Sequence, residues 1–248
     1  MMRWFRRKKE EDQIEAAKPS FPFKEGETQS VQTPKEMKPL FVKAEDKVSK
    51  YFESMEWDPS NGRILIGGER YILIRAASMR INFPEVLAEL MELDGGLNNP
   101  HVIKIIYQLA KSLGQADARK FHFSMGLDDP IEKLSAGPVH FAFTGWANVD
   151  ILPESKPTPD EEFFLIYTHP RSFEADSFIY MRGAKSPVPV CVMNSGYSAG
   201  WCTESFGVAL DAKEIKCRAK GDSDCLFIMA HPSKLEEKVK DYLAKTAK

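Results

Sequence analysis

The sequence lacks the features that mark several common classes of protein. No apolar run in its 248 residues approaches the length needed to span a bilayer, and no segment is repeated. The net charge of −2 gives no reason to expect a nucleic-acid partner or general membrane binding. There is neither a GxGxxG sequence after a predicted strand nor a phosphate loop of the GxxxxGK type. What remains is a chain with 43% hydrophobic residues, long enough for one substantial core.

Cysteine is also scarce, at four residues. No segment has the pattern of a signal peptide, so we expect a cytoplasmic protein in a reducing compartment. Disulfides are disfavoured there. Spaced cysteines then indicate either a metal site or inert thiols buried in the core.

Three of the cysteines and one glutamate have a spacing typical of a metal site on a β-hairpin. Glu214, Cys217 and Cys225 lie within twelve residues, and Cys191 lies 26 residues before Cys217. The turn sequence around Gly221 predicts a hairpin that brings Cys217 and Cys225 together. Three thiolates and a carboxylate would supply four ligands for zinc. Because residues three apart on a regular strand face opposite ways, the strand must bend, bulge or end between Glu214 and Cys217.

The fourth cysteine, Cys202, is excluded from this site. The sequence predicts a helix over Val190–Phe206, in which Cys191 and Cys202 stand about 16 Å apart along the axis. One tetrahedral ion cannot reach both residues. His231 is a possible substitute ligand, although a surface histidine is the preferred interpretation.

Hydrophobic periodicity predicts helices and antiparallel hairpins in mixed order, without a regular βαβ alternation. We therefore predict an α+β fold, with helices packed on an antiparallel sheet. The predicted elements are helices at Ala44–Trp57, from Pro84, from Pro100 with a break at Gly114, and at Phe173–Met181 and Val190–Phe206; strands at Val139–Ile151 and Phe163–Tyr167; hairpins at Gly67-Gly68 and Gly221; and a last helix after Ser233.

The first part of the chain differs in composition from the rest. Residues 1–43 are charged and dotted with proline, which predicts a disordered arm, followed by a single domain over residues 44–246. The basic segment Met1–Lys9 includes Trp4 and Phe5, so contact with an anionic membrane surface is one interpretation. A solvated tail is the preferred one.

Several motifs resemble the signature of the 4-vinyl reductase domain, which is also the sensor part of bacterial aromatic-catabolism activators. They are Gly196-Tyr-Ser-Ala-Gly-Trp201, Glu204-Ser-Phe-Gly207, the Glu214–Cys225 segment, Gly62–Arg70 and Ser172–Ala175. The resemblance covers roughly Lys47–Lys238, and its C-terminal part is the most specific.

This resemblance implies a structural zinc ion bound by Cys191, Glu214, Cys217 and Cys225. It also implies an α+β fold of the type called the ligand-binding domain in NO signalling and Golgi transport. That fold is related to the small subunits of vesicle-tethering (transport protein particle) complexes, and its members commonly form dimers. A homodimer or a protein partner is therefore expected.

The resemblance further implies a cavity for a small hydrophobic or aromatic ligand near the zinc. His140 is the candidate for the histidine that holds the hydroxyl in phenol-sensing members. The tryptophan of those members falls near Pro170 here, so this chain departs from the phenol-sensing pattern. The candidate lining residues are Phe141, Trp146, Tyr167, Phe173 and Tyr197, which could equally be ordinary core.

Three functions follow from these observations. The preferred one is a non-enzymatic sensor or carrier that signals through a dimer or partner. The first alternative is an adaptor or structural subunit of a protein complex. The second is an auxiliary factor or reductase for a vinyl tetrapyrrole, with His140, Glu174 and Asp176 as acid–base groups, although helix-face carboxylates are usually solvated.

Overall fold

Eight strands and seven α-helices form in the part of the chain that the computed structural model describes, residues 27–183 and 185–246. The strands are β1 (Val31–Gln32), β2 (Glu56–Asp58), β3 (Arg63–Ile66), β4 (Glu69–Tyr71), β5 (Ala147–Ile151), β6 (Phe164–Ser172), β7 (Asp211–Lys216) and β8 (Cys225–Ala230). The helices are α1 (Lys38–Glu53), α2 (Phe83–Leu90), α3 (Pro100–Met125), α4 (Pro130–Phe143), α5 (Phe173–Arg182), α6 (Val192–Phe206) and α7 (Leu235–Thr246). None of these helices has the length and apolar composition needed to cross a membrane.

The main sheet has five strands in the order β1-β5-β6-β8-β7. The four strands from β5 to β7 pair in an antiparallel manner, and only the short edge strand β1 is parallel to its neighbour. A separate three-stranded sheet, β2-β3-β4, includes the predicted hairpin at Gly67-Gly68. The predicted α+β class is confirmed.

The start of the folded part lies earlier in the chain than predicted. Val31 is buried and pairs with Val149 of β5, and α1 begins at Lys38 rather than Ala44. The buried carboxylate of Glu45 accepts hydrogen bonds from the backbone N–H groups of Gln29 and Ser30, at 3.0 and 3.1 Å. A helix residue thus fixes β1. The predicted arm is too long by these residues, and its part before residue 27, including Met1–Lys9, lies outside the described residues.

Helices α3 and α6 approach each other through glycine. A Cβ atom at Gly114 would lie 2.2 Å from the carbonyl oxygen of Tyr197, and one at Gly200 would lie 2.0 Å from that of Lys111. Gly114 therefore permits close contact between two helix backbones. The predicted break at this residue is wrong, and α3 continues for 26 residues.

The predicted strand over Val139–Ile151 is wrong in its first half. Val139–Phe143 form the end of α4, which Asp129 caps by accepting hydrogen bonds from Ile131 N and Glu132 N. Only Ala147–Ile151 form a strand, after Gly145 at φ +78°. The apolar residues around Pro138 resemble a strand in sequence, but the cap places them in a buried helix.

Candidate metal centre and adjoining cavity

Cys191, Glu214, Cys217 and Cys225 converge on one buried point. One ligand atom from each residue lies within 4.8 Å of all the others. Cys191 immediately precedes α6, Glu214 lies in β7, Cys217 follows β7, and Cys225 is the first residue of β8. This is the set that the spacing predicted.

The main sheet resolves the spacing of three between Glu214 and Cys217. The pairing of β7 with β8 shifts register between Glu214 and Lys216, and β7 ends at Lys216. The bulge and the strand end turn Cys217 to the same side as Glu214. The predicted hairpin turn is present, with Gly221 at φ +104°.

Backbone groups position three of the four side chains. Cys191 N donates to Glu214 Oε2 at 2.8 Å, and Arg218 N points at Cys225 Sγ at 3.4 Å. Asp222 stabilises the turn, because its carboxylate accepts a hydrogen bond from Cys217 N at 2.7 Å. The site is therefore held in shape by hydrogen bonds of the hairpin and of the α6 N-terminus.

The donor set fits a divalent cation. Glu214 Oε1 is buried and has no hydrogen-bond partner among the described residues. Burial raises the pKa of Glu214 and of Cys191, whereas hydrogen bonds from Cys191 and Cys225 lower the pKa of Cys217. A cation would favour the charged form of every member at once. Thiolates with a carboxylate and no further neutral ligand suit zinc.

Two other candidate ligands lie apart from this centre. Cys202 is buried but belongs to no group of metal ligands in the described chain. His231 Nδ1 forms a hydrogen bond with Ser233 Oγ at 2.7 Å. Cys202 is excluded as predicted, and His231 is not a substitute ligand here.

A buried polar network supports the start of α6. The carboxylate of Glu174 accepts hydrogen bonds from Met193 N and Asn194 N, at 3.0 and 2.8 Å. Its charge partner is Arg80 Nε at 3.8 Å, in a π-helical turn over Ser78–Asn82. Glu174 is fully buried, which corrects the expectation of a solvated helix face, and burial raises its pKa to about 7. Sequence reasoning missed Arg80.

A cavity lies in the core between α4, α6 and the main sheet. Its volume is about 40 Å³, whereas one water molecule needs about 10–15 Å³ on the same scale. Helical spacing from α4 and α6 and alternate positions on β5 and β6 build the wall. It is formed by Leu134, Gly137, Pro138, Phe141, Val149, Ile151, Leu165, Tyr167, Tyr197, Ser198, Trp201, Cys202 and Met229.

Three of the six predicted ligand-binding residues line this cavity: Phe141, Tyr167 and Tyr197. Trp146 lies behind the wall, with its ring 4.6 Å from that of Tyr197, and Phe173 packs against Trp146 at 5.3 Å. Their roles as ligand contacts stay predictions.

His140 does not line the cavity. Its ring packs 5.1 Å from Trp201 and 5.2 Å from Phe121, and its Nδ1 has no hydrogen-bond partner among the described residues. Burial lowers the pKa of His140 to about 3, so it is neutral at physiological pH. A ligand contact would have to form through rearrangement of these rings.

Another histidine, His169, was missed by sequence reasoning. It is fully buried, and neither ring nitrogen has a partner within the described part of the chain. Burial lowers its pKa to about 3. His169 lies opposite Cys225 in the pairing of β6 with β8, and its ring is 5.3 Å from that of Tyr167. It therefore lies between the metal centre and the cavity. Its place at i+2 from Tyr167 on a strand was the available signal.

Comparison with known proteins agrees with this architecture. Residues 174–230 match the family model of the 4-vinyl reductase domain, which confirms the resemblance over the segment that holds the metal centre. No curated protein matches the chain.

Two solved structures are similar in fold. One is the phenol-responsive sensory domain of the transcription activator PoxR with phenol, at 19% identity and a TM-score of 0.64, covering 79% of this chain and 94% of that one. The other is trafficking protein particle complex subunit 3 from Naegleria fowleri, covalently bound to palmitic acid. It has 11% identity and a TM-score of 0.43, and covers 62% of this chain and 93% of that one.

Proposed function

We propose that this protein is a small-molecule-binding domain of the 4-vinyl reductase type. A structural zinc ion bound by Cys191, Glu214, Cys217 and Cys225 supports a cavity that accepts a small hydrophobic or aromatic ligand. The observation that carries the proposal is the cavity itself, which lies in the core and has no charged side chain in its wall. It shares the main sheet with the metal centre.

The zinc ion has a structural role in this proposal. Four protein side chains complete a tetrahedral shell and leave no open position for a reacting water. We therefore propose a non-enzymatic protein. Three buried, unpaired cysteines in one cluster also suit a reducing compartment such as the cytoplasm.

The ligand signal would leave the domain through its helices. Helix α6 contributes Tyr197, Ser198, Trp201 and Cys202 to the cavity and begins at the metal centre. A change in cavity occupancy would act on this helix, and through its close contact with α3 it would reach the surface. A second copy or a partner protein would receive the signal there.

Metal analysis of the purified protein tests the zinc proposal. We expect about one zinc ion per chain in the wild type and in Cys202→Ser, and none in Cys217→Ser. Cys202→Ser is the matched control, because it replaces a buried cysteine outside the metal centre. Equal metal content in both variants, or wild-type protein without metal, would overturn the proposal.

Native mass spectrometry and thermal shifts with uncharged one-ring aromatics test the cavity. Wild-type protein should bind such a compound, and Ser198→Phe, which fills the cavity, should lose binding while it retains its zinc. Retained zinc shows that the variant is folded. Equal binding by both proteins would place the ligand elsewhere.

A second candidate function is that of an adaptor subunit, which one observation favours. Ile72, Leu73 and Ile74 form a short apolar run in which each residue is more than half exposed, and Val86 and Leu90 of α2 are also exposed. Exposed apolar patches commonly mark protein interfaces. Crosslinking to one dominant partner that Leu73→Glu abolishes, with no ligand bound by the wild type, would favour this function.

A further inference from the structure

Three hydroxyl groups belong to the cavity wall, and they differ in their surroundings. The Tyr197 hydroxyl donates to Asp117 Oδ2 at 2.8 Å. Ser198 is only partly buried. The Tyr167 hydroxyl is buried and has no hydrogen-bond partner among the described residues. A buried hydroxyl without a partner is costly and rare, so its presence at a cavity calls for an explanation.

Packing does not explain the hydroxyl of Tyr167. Its ring stacks on Phe227 with centroids 5.1 Å apart and an angle of 8° between the planes. A phenylalanine would make the same stack without a buried polar atom. Burial raises the pKa of Tyr167, and Ser198 opposes that rise, but no hydrogen bond joins the two side chains. The hydroxyl is therefore a neutral donor that the protein leaves free.

The same face of β6 carries a second unpartnered polar group. His169 follows Tyr167 at the next inward position, and both its ring nitrogens lack partners within the described residues. Burial keeps this imidazole neutral. The polar strip beside the cavity therefore offers hydrogen bonds but no positive charge.

We propose that the ligand is an uncharged aromatic molecule with one hydrogen-bond-accepting oxygen, either a hydroxyl or a carbonyl, and that the Tyr167 hydroxyl donates to this oxygen. The inference rests on the proposed function, since it presupposes that the cavity binds a small molecule. It adds the chemical class of the ligand and the residue that selects it.

The wall also decides against charged ligands. A carboxylate or an amine in this cavity would lose its hydration, and the lining offers no countercharge. The small volume excludes long acyl chains. An apolar ring without oxygen would fit but would leave Tyr167 unpartnered.

Two pairs of isosteric probes test the inference. Benzyl alcohol is compared with ethylbenzene, and benzaldehyde with styrene, so that each pair differs in the oxygen. Benzoate serves as the charged probe. Affinities are measured by calorimetry or thermal shift for the wild type, Tyr167→Phe and Tyr197→Phe. The last is the matched control, because it removes a cavity hydroxyl that already has a partner.

The wild type should bind each oxygen-bearing probe about tenfold more tightly than its hydrocarbon counterpart, and should not bind benzoate. Tyr167→Phe should lose this preference and keep its affinity for the hydrocarbons. Tyr197→Phe should change both members of each pair by the same factor. Tyr167→Phe should also fold at least as stably as the wild type.

Other results would overturn the inference. They are a wild type that binds hydrocarbons and oxygen-bearing probes equally, a Tyr167→Phe variant that retains the preference, and a Tyr167→Phe variant that unfolds. Each of these outcomes leaves the cavity as a binding site. If the wild type binds none of the probes, the proposed function itself fails.

Discussion

Cys191 Sγ and Cys225 Sγ lie 3.6 Å apart, although 34 positions separate the two residues in the chain. This contact brings the start of α6 against the start of β8. A metal ion bound at this point would link a helix to the central hairpin of the main sheet. Such a link closes a long loop, so its removal should be felt throughout the domain.

Removal of the metal by a strong chelator should therefore destabilise the protein. We expect the free energy of unfolding to fall by more than about 4 kcal/mol, since loss of a metal is among the most damaging single changes. Thermal denaturation with and without chelator measures this loss.

Two variants make that measurement specific. Cys202→Ser should respond to chelator as the wild type does, whereas Cys217→Ser should start at the lower stability and show no further change. A chelator effect of equal size in Cys217→Ser would contradict a metal bound by this centre.

Acid should destabilise the fold through His140. Burial lowers the pKa of His140 to about 3 in the folded state, against 6.5 as its ordinary value. Between these two values the unfolded chain binds the proton and the folded chain does not, so stability falls as the pH falls. Between pH 7 and pH 5 this amounts to about 2 kcal/mol for the one group.

The variant His140→Phe isolates this contribution. Phenylalanine suits a site that is already lined by Phe52, Phe121 and Trp201. Urea denaturation at pH 7 and pH 5 should show a difference about 2 kcal/mol smaller in this variant than in the wild type. The exposed His101→Gln serves as the control and should keep the wild-type pH dependence.

The metal centre could be predicted from the sequence because its geometry is local. Glu214, Cys217 and Cys225 belong to one hairpin, and the turn at Gly221 determines which side chains meet. The spacing of three also predicted an irregularity in the strand, and the bulge in β7 provides it. Only Cys191 had to be supplied by the fold, and the family resemblance supplied it.

The cavity could be predicted only in part, because its wall comes from distant segments. Apolar residues on either side of Pro138 suited both a strand and a buried helix, and only the cap at Asp129 and the packing against α1 and α6 select the helix. That choice turned Phe141 to the cavity and His140 away from it. Likewise, the unpartnered nitrogens of His169 have no signal in composition or spacing.

The ion pair between Glu174 and Arg80 should make a large contribution to stability. Glu174→Gln would leave Arg80 buried without a countercharge, and the amide of glutamine would accept less strongly from Met193 N and Asn194 N. We expect a loss of about 3–5 kcal/mol in the free energy of unfolding. Chemical denaturation measures it.

A surface pair provides the comparison. Glu204 pairs with Arg119, whose side chain is 70% exposed, so Glu204→Gln should cost less than about 1 kcal/mol. Similar losses in the two variants would mean that the buried pair does not hold the start of α6.

Gly114 should tolerate no side chain, because the backbone of α6 lies directly against it. A Cβ atom there would be 2.2 Å from the carbonyl oxygen and 3.0 Å from the Cα of Tyr197, both in the backbone. Alanine would gain about 1 kcal/mol in helix propensity, but the two helices would have to move apart. We expect Gly114→Ala to destabilise the protein by about 1–3 kcal/mol. It should also weaken binding to the cavity, because Tyr197 lines it.

The neighbouring substitution Ser112→Ala changes an exposed position of the same helix and should be neutral or slightly stabilising. Thermal denaturation of the two variants compares contact with propensity on one helix. If Gly114→Ala were as stable as Ser112→Ala, α3 and α6 could not approach as closely as the structure shows.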